Sequence, residues 1–271
     1  MTKLEKLLYI NEMLLNDMPE YKEQAEEFPE NYVEQRRLLR SLMNVRHPMP
    51  LHQEFLQIQD EFLREEVEEK GVVSPANLMP TQANNNVYLW KGDITTLQVD
   101  AIVNAANAAL LGCFIPCHRC IDNAIHSVAG LQLRQECNAI MNKQGHEEET
   151  GKAKLTQGYN LPSRYVIHTV GPIIYNELTK EACELLASCY RECLEIALEH
   201  KLQTIAFCCI STGEFRFPNQ KAAEIAVKTV TDFMNKTESE IEVIFNVFKQ
   251  EDYQIYRELL GEDCENTELH S

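Results

Sequence analysis

Short, continuously apolar segments alternate with stretches of helical periodicity through the last two thirds of the chain. The apolar segments cover residues 87–90, 101–103, 165–170, 205–210 and 241–248. Strands that are apolar on both faces must be covered on both faces. The stretches between them repeat apolar residues at helical spacing and predict amphipathic helices. The pattern therefore predicts an α/β fold with three layers, in which a sheet lies between two layers of helices.

Residues 1–75 differ, because their apolar residues follow only helical spacing. Leu51, Phe55, Ile58 and Phe62 form one such stripe, and two more precede it. Pro29 and the segment 47–50 separate the three predicted helices. We expect these helices to pack onto the second region as an N-terminal extension. Residues 76–86 are predicted to be a linker, and residues 87–271 the α/β domain.

Charge and composition exclude several classes of protein. Forty-two acidic residues against 25 basic ones give a net charge of −17, which argues against nucleic acid as a partner. No apolar run is long enough to cross a bilayer, and the first residues do not resemble a signal peptide. The protein is therefore expected in the cytoplasm. In that reducing compartment, its ten cysteines are predicted to be thiols or metal ligands. The negative net charge is still compatible with a small anionic ligand, since backbone N–H groups at helix N-termini can bind an anion.

The segment 112–120 concentrates side chains that bind zinc. Its candidate ligands are Cys113, Cys117, His118 and Cys120. Three ligands with an open position are typical of a catalytic zinc, whereas four ligands are typical of a structural zinc. Spacing alone does not decide whether Cys117 joins or replaces another ligand.

Two further segments carry polar groups at predicted strand ends. The segment 101–107 ends in asparagines whose amides suit sugar hydroxyls, although asparagines also form turns. The segment 210–218 contains Ser211, Thr212 and Gly213, whose small side chains let backbone N–H groups approach a phosphate. In the same segment, Phe215 and Phe217 are predicted to cover a ribose.

Together these segments resemble the macrodomain family over about residues 87–260. The resemblance rests on the segments 90–95, 103–107, 121–126, 151–172 and 211–218. It implies a three-layer α/β/α macrodomain with a mixed central sheet. Where the usual macrodomain has a run of glycines, this chain has the Cys-rich segment, which is similar to a zinc-containing microbial subclass with a helical N-terminal extension. That subclass implies one Zn²⁺ per chain, bound by Cys113, His118 and Cys120.

The resemblance also implies roles for individual residues. Asp93 falls on the family's adenine-binding aspartate, and Asn107 on the asparagine that orients the distal ribose. Asp122 is predicted to be a general base, with two alternatives: it orients the groups around the zinc, or it is a helix N-cap. His126 is expected to be a structural histidine, and Phe248 to stack on the ligand. The predicted substrate-binding residues are Asp93, Ile94, Asn107, Ser211, Thr212, Gly213, Glu214, Phe215 and Phe217, and the predicted catalytic residues are Asn107 and Asp122.

The implied function is zinc-dependent removal of mono-ADP-ribose from protein side chains, with an ester to Asp or Glu as the linkage. Two alternatives stay open: a reader that binds ADP-ribose around a structural zinc, and an O-acetyl-ADP-ribose deacetylase. The implied partners are ADP-ribose and a mono-ADP-ribosylated protein. The subclass suggests, as that protein, a lipoyl carrier protein modified by a sirtuin-like transferase.

Overall fold

The computed structural model describes residues 1–261, so the last part of the predicted second domain, 262–271, lies outside the described residues. The N-terminal part is helical. Its helices are α1 (Lys3–Asp17), α2 (Lys22–Ala25), α3 (Tyr32–Val45) and α4 (Gln53–Lys70). Thr2 is the N-cap of α1 and forms a capping box with Glu5. The Thr2 hydroxyl accepts from the backbone N–H of Glu5, and the Glu5 carboxylate accepts from the backbone N–H of Thr2. Asn31 caps α3 through the N–H of Glu34.

The three longer helices bury their apolar stripes against one another in a core of their own. This core includes Leu7, Ile10, Leu14, Leu39, Leu42, Phe55 and Phe62. The predicted helical extension is therefore confirmed. Between α4 and the first strand lie a short 3₁₀ helix, Pro75–Asn77, and two isolated β-bridges, Val73 to Leu97 and Pro80 to Tyr88.

Between the helical extension and residue 261, a six-stranded mixed sheet forms the centre of the described residues. Its strands are β1 (Val87–Lys91), β2 (Ala101–Ala106), β3 (Ala153–Gln157), β4 (Tyr165–Val170), β5 (Thr204–Phe207) and β6 (Glu242–Val247). The strand order is β1-β6-β5-β2-β4-β3, and every neighbouring pair is parallel except β3 and β4. The interiors of β2, β4, β5 and β6 are buried, as continuously apolar strands require.

Five helices within the described part of the chain cover the sheet. They are α5 (Ile121–Ala129), α6 (Leu131–Gln144), α7 (Lys180–Glu199), α8 (Asn219–Thr237) and α9 (Gln250–Leu259). Helices α5 and α6 pack together on one face, and α7, α8 and α9 pack side by side on the other. The predicted three-layer α/β/α fold with a mixed sheet is thus confirmed. The extension packs on α5 through α3 and α4.

None of the helices within residues 1–261 combines the length and the apolar character that a membrane span requires.

Candidate active site

A cleft of about 1030 Å³ opens at the carboxyl edge of the parallel strands. Ligands of open α/β sheets bind at this edge, where loops leave the strands and helix N-termini point inward. The cleft collects most of the residues that the sequence singles out. They are Asp93, Ile94, Asn107, Cys113, His118, Cys120, Asp122, Ser211, Thr212, Gly213, Glu214, Phe215 and Phe248. Phe217 is the one predicted substrate-binding residue that does not line it.

Cys113, His118 and Cys120 bring their ligand atoms together at one end of the cleft. The two thiols and an imidazole nitrogen all lie within 4.8 Å of one another. Among the described residues, Nδ1 of His118 is buried and has no hydrogen-bond partner. Two soft thiols and an imidazole are a donor set that zinc prefers, and an orphaned ring nitrogen beside them fits a metal ligand. Burial raises the pKa of the Cys120 thiol to about 12 in the absence of a metal.

Cys117 faces away from this cluster. Its Sγ lies 3.3 Å from the Ser41 hydroxyl and 3.6 Å from the Arg37 carbonyl oxygen, both on α3. Its backbone lies in the left-handed region, with φ of 53°, and its N–H donates to Asn44 Oδ1 over 2.9 Å. The geometry therefore brings together the trio that the subclass implies, without Cys117.

Asp122 lies in the first turn of α5, on the floor of the cleft, and is 5% exposed. Its Oδ1 accepts a hydrogen bond of 2.8 Å from Asn104 Nδ2, and its Oδ2 lies 3.4 Å from Asn107 Nδ2. Burial raises its pKa to about 6, against the opposing effects of Asn104 and of the Arg134 charge. The alternative reading of Asp122 as a helix N-cap is wrong. Cys120 caps α5, and its Sγ accepts from the N–H of Asn123 at 3.4 Å.

A second His and Cys cluster lies behind Asp122, in the core. It consists of His126, Cys137 and His168, which are all buried and do not line the cleft. The ring of His168 is held on both sides, by Asn104 Nδ2 at 3.1 Å and Thr156 Oγ1 at 2.9 Å. Burial lowers the pKa of His126 and that of His168, the latter to about 3. Nε2 of His126 lies 3.5 Å from Asp122 Oδ1 without a hydrogen bond, and His168 reaches Asp122 only through Asn104, which contacts both residues.

Asp93 also lines the cleft, two residues after the end of β1. It caps the 3₁₀ helix Ile94–Thr96, since its Oδ1 accepts from the N–H and hydroxyl of Thr95 at 3.0 and 2.7 Å. Its Oδ2 accepts a 2.9 Å hydrogen bond from Lys70 at the end of α4. Burial acts to raise the pKa of Asp93, but the donors from Thr95 and Lys70 outweigh it and the pKa is lowered.

The loop after β5 also lines the cleft and folds back on itself. Ser211 and Arg216 have positive φ, and the N–H of Phe217 donates to the Ser211 carbonyl over 3.0 Å. A Cβ on Gly171 would lie 2.0 Å from Ser211 Oγ and 2.9 Å from Ile210 Cγ2, so the loop packs against this glycine without room for a side chain in its present arrangement. Glu214, at the exposed tip, brings Oε1 to 3.7 Å from Nε2 of His118.

The prediction that Phe215 and Phe217 both cover a ribose is wrong for Phe217. Phe215 lines the cleft, whereas Phe217 is 1% exposed and packs into the core of the sheet. The turn at Arg216, with φ of 59°, separates the two rings. Nearness in sequence suggested a pair, but the backbone reverses between them.

Sequence reasoning missed Arg40, which reaches the cleft from the extension. Its guanidinium donates to the backbone carbonyl of His118, a residue 78 positions away. Nothing in the local pattern of α3 distinguishes Arg40 from its neighbours Arg36 and Arg37, so no signal in the sequence could have found it.

The chain is similar in sequence to a known protein family and to several named proteins. The Macro domain family model matches residues 103–226. The "Protein-ADP-ribose hydrolase" of Treponema medium is 52% identical over 263 residues, which cover 96% of this chain and 100% of that protein. The protein of the same name from Staphylococcus aureus strain Mu50 is 46% identical and covers 94% of this chain and 96% of its own length.

Solved structures share the fold. A Trypanosoma brucei macrodomain in complex with ADP-ribose is 31% identical, with a TM-score of 0.64, over 82% of this chain and 95% of its own. An Oceanobacillus iheyensis macrodomain with ADP is 40% identical, with a TM-score of 0.61, and the match covers 68% of this chain and 94% of its own. The fold, the cleft at the carboxyl edge of the sheet and similarity along nearly the whole chain lead to one conclusion: the chain belongs to the macrodomain family.

Proposed function

We propose that this protein is a zinc-dependent hydrolase that removes mono-ADP-ribose from modified protein side chains, with an ester to Asp or Glu as the linkage. The observation that carries the proposal is the placement of the Cys113, His118 and Cys120 ligand atoms, within 4.8 Å of one another, in the same cleft as Asn107 and Asp122. The name that the Treponema and Staphylococcus relatives bear supports the hydrolytic activity.

The lining of the cleft suits the chemical groups of ADP-ribose in order. The Asp93 carboxylate, at one end, is an acceptor for the amino group of adenine. Backbone N–H groups of Ser211, Thr212 and Gly213 suit the diphosphate, because amides bind an anion without a cationic side chain. This matters in a chain whose net charge is −17. Asn107, which follows the end of β2, would orient the distal ribose.

Zinc would be held by Cys113, His118 and Cys120 at the ribose end. When bound, it supplies Lewis acidity to an oxygen of the scissile linkage or of the attacking water. The protein's own side chains would orient the general base and accept the proton. Asn104 and Asn107 hold the Asp122 carboxylate from two sides, at 2.8 and 3.4 Å. Asp122 would take a proton from the attacking water as the linkage breaks, and hydrolysis would return ADP-ribose and the free side chain.

The proposed protein substrate follows from the resemblance to the zinc-containing subclass. The metal end of the cleft is rimmed by exposed side chains, such as Ile115 and Arg119, that a bound macromolecule would meet. A lipoyl carrier protein modified by a sirtuin-like transferase is the first candidate, and a cytoplasmic location stays a prediction.

The test is release of ADP-ribose from a purified mono-ADP-ribosylated acceptor. The protein would be assayed as purified, after chelation, and after zinc is restored, with ADP-ribose affinity measured in each sample. We expect release that disappears on chelation and returns with zinc. Tight ADP-ribose binding without release at full zinc occupancy would instead identify a reader with a structural metal.

A further inference from the structure

The helical extension holds the metal-ligand segment through side chains of α3. Arg40 and Asn44 lie one turn apart on this helix and both face residues 113–120. Asn44 Oδ1 accepts from the N–H of Cys117 at 2.9 Å, and its Nδ2 donates to the Ser127 hydroxyl over 3.1 Å. Arg40 donates to the His118 carbonyl. The extension therefore contacts the backbone of this segment at two successive residues.

Arg40 bridges two acceptors at the edge of the cleft. Its Nη2 donates to the His118 carbonyl oxygen over 3.1 Å and to Asn123 Oδ1 over 2.8 Å. Its Nε donates to the same Asn123 oxygen over 3.1 Å. Asn123 in turn donates from Nδ2 to the Ile115 carbonyl over 3.1 Å. Arg40 thus ties a residue of the metal cluster to the first turn of α5, and Asn123 ties that turn back to the segment.

The segment needs such external support because it has little structure of its own. It contains neither helix nor strand, and Cys117 sits in a left-handed conformation that costs free energy in a residue with a Cβ. Cys120 is fixed as the cap of α5. His118 has no such anchor. The N–H of His118 donates to the Ile115 carbonyl within the segment, and its carbonyl is oriented by Arg40.

We propose that Arg40 is a positioning residue, which holds His118 so that its imidazole meets the thiols of Cys113 and Cys120. The proposal rests on the zinc site of the proposed function. It makes the extension a part of the metal centre, since a side chain from outside the α/β domain sets the place of one ligand. Supporting groups that orient a ligand commonly change metal affinity by about 10–100-fold when they are removed.

The experiment uses the full chain, with Arg40→Ala and the conservative Arg40→Lys beside wild type. Arg37→Ala is the matched control, because Arg37 lies on the same helix, its side chain is 67% exposed, and its ion pair is with Glu34 on α3. Zinc affinity is measured by competition with a chromophoric chelator. The visible spectrum of the cobalt-substituted protein reports the ligand geometry, and ADP affinity and thermal unfolding report the rest of the cleft and the fold.

We expect Arg40→Ala to raise the zinc dissociation constant about tenfold or more and to alter the cobalt spectrum. The Arg37→Ala protein should stay close to wild type in zinc affinity, cobalt spectrum and thermal unfolding, because Arg37 does not line the cleft. Arg40→Lys should fall in between, because one ammonium does not reproduce the fork that reaches both acceptors. If the alanine variant does not fold, the zinc affinity and the cobalt spectrum of Arg40→Lys test the positioning role instead.

Unchanged zinc affinity and an unchanged cobalt spectrum in a folded Arg40 variant would overturn the positioning role while leaving the zinc site in place. A wild-type protein that binds no zinc would overturn the zinc site of the proposed function, and the role of Arg40 with it.

Discussion

The side-chain amide of Asn107 lies 3.4 Å from the carboxylate of Asp122, on the floor of the cleft next to Cys120. Asn107 follows the end of β2, and Asp122 lies in the first turn of α5. The two residues are brought together because the helix packs directly on the strand. Under the proposed function, this contact would place the residue that orients the distal ribose next to the general base.

Asp122→Asn should slow ADP-ribose release by about 100-fold or more, because an amide does not take up a proton and general base catalysis is commonly worth that factor. The affinity for free ADP-ribose should change little. Asp252→Asn is the control, since Asp252 is also a buried carboxylate that lines the cleft and bonds Asn219 at 2.6 Å. Single-turnover kinetics with a modified acceptor measure the rate. A loss of the same size in both variants would remove Asp122 from its proposed role.

Cys113→Ser should lose zinc, whereas Cys117→Ser should keep it. A serine hydroxyl is a poor replacement for a thiolate at a zinc site, and the Cys117 thiol faces Ser41 and Arg37 instead of the cluster. Metal content after gel filtration, determined by atomic emission, measures the difference. Equal loss from the two variants would mean that Cys117 is also a ligand.

Asp93→Ala should weaken ADP-ribose binding by about 10–100-fold, the cost of losing one hydrogen bond to a charged acceptor. Lys70→Ala serves as the comparison, because it removes the ion pair of Asp93 but keeps the carboxylate. Lys70 is half-exposed, so its removal should change affinity by no more than about fivefold. Titration calorimetry with ADP-ribose gives both values. The assignment fails if binding survives in Asp93→Ala.

Gly171→Ala should weaken ADP-ribose binding and lower the melting temperature, since the new methyl would lie 2.0 Å from Ser211 Oγ and 2.9 Å from Ile210 Cγ2, and both side chains of the loop would have to shift. Gly213→Ala makes the same chemical change on the loop itself, where a Cβ meets nothing within 4 Å. Its free energy of unfolding should stay within about 1 kcal/mol of wild type. Thermal unfolding of the two variants side by side provides the test. An equally stable Gly171→Ala protein would show that the loop adjusts freely.

Acid should destabilise the protein through His168. Burial lowers its pKa in the folded state to about 3, below the ordinary value of about 6.5 that it regains on unfolding. The unfolded chain therefore binds the proton first, and stability falls as pH drops from about 6.5 towards 3. The groups that face His168 are His126 on α5, Cys137 on α6, Asn104 on β2 and Thr156 on β3.

His168→Gln removes this titration and should flatten the dependence of unfolding free energy on pH below 6.5, by up to about 1.4 kcal/mol per pH unit. His52→Gln is the control, since His52 is exposed and its side chain makes no capping hydrogen bond. Urea unfolding at several pH values measures the slope. An unchanged slope in a folded His168→Gln protein would contradict the prediction.

The sequence by itself determined the layers of the fold and most of the cleft. Apolar strands that need two covered faces and helices with one apolar face allow few arrangements other than the α/β/α sandwich. Because parallel strands end at one edge, Asn107 after β2 and Ser211 after β5 had to meet there. The helical extension also follows from local periodicity alone.

The tertiary structure decided which side chains of a segment face the cleft. Cys113 and Cys117 were equivalent by spacing, but contacts with α3 turn Cys117 away from the metal cluster. A left-handed residue between Phe215 and Phe217 sends the second ring into the core. Arg40 reached the site only because α3 packs on α5. Local sequence sets the periodicity of helices and strands. In an irregular loop, long-range packing sets the direction of each side chain, and the proposed metal and ligand contacts depend on that direction.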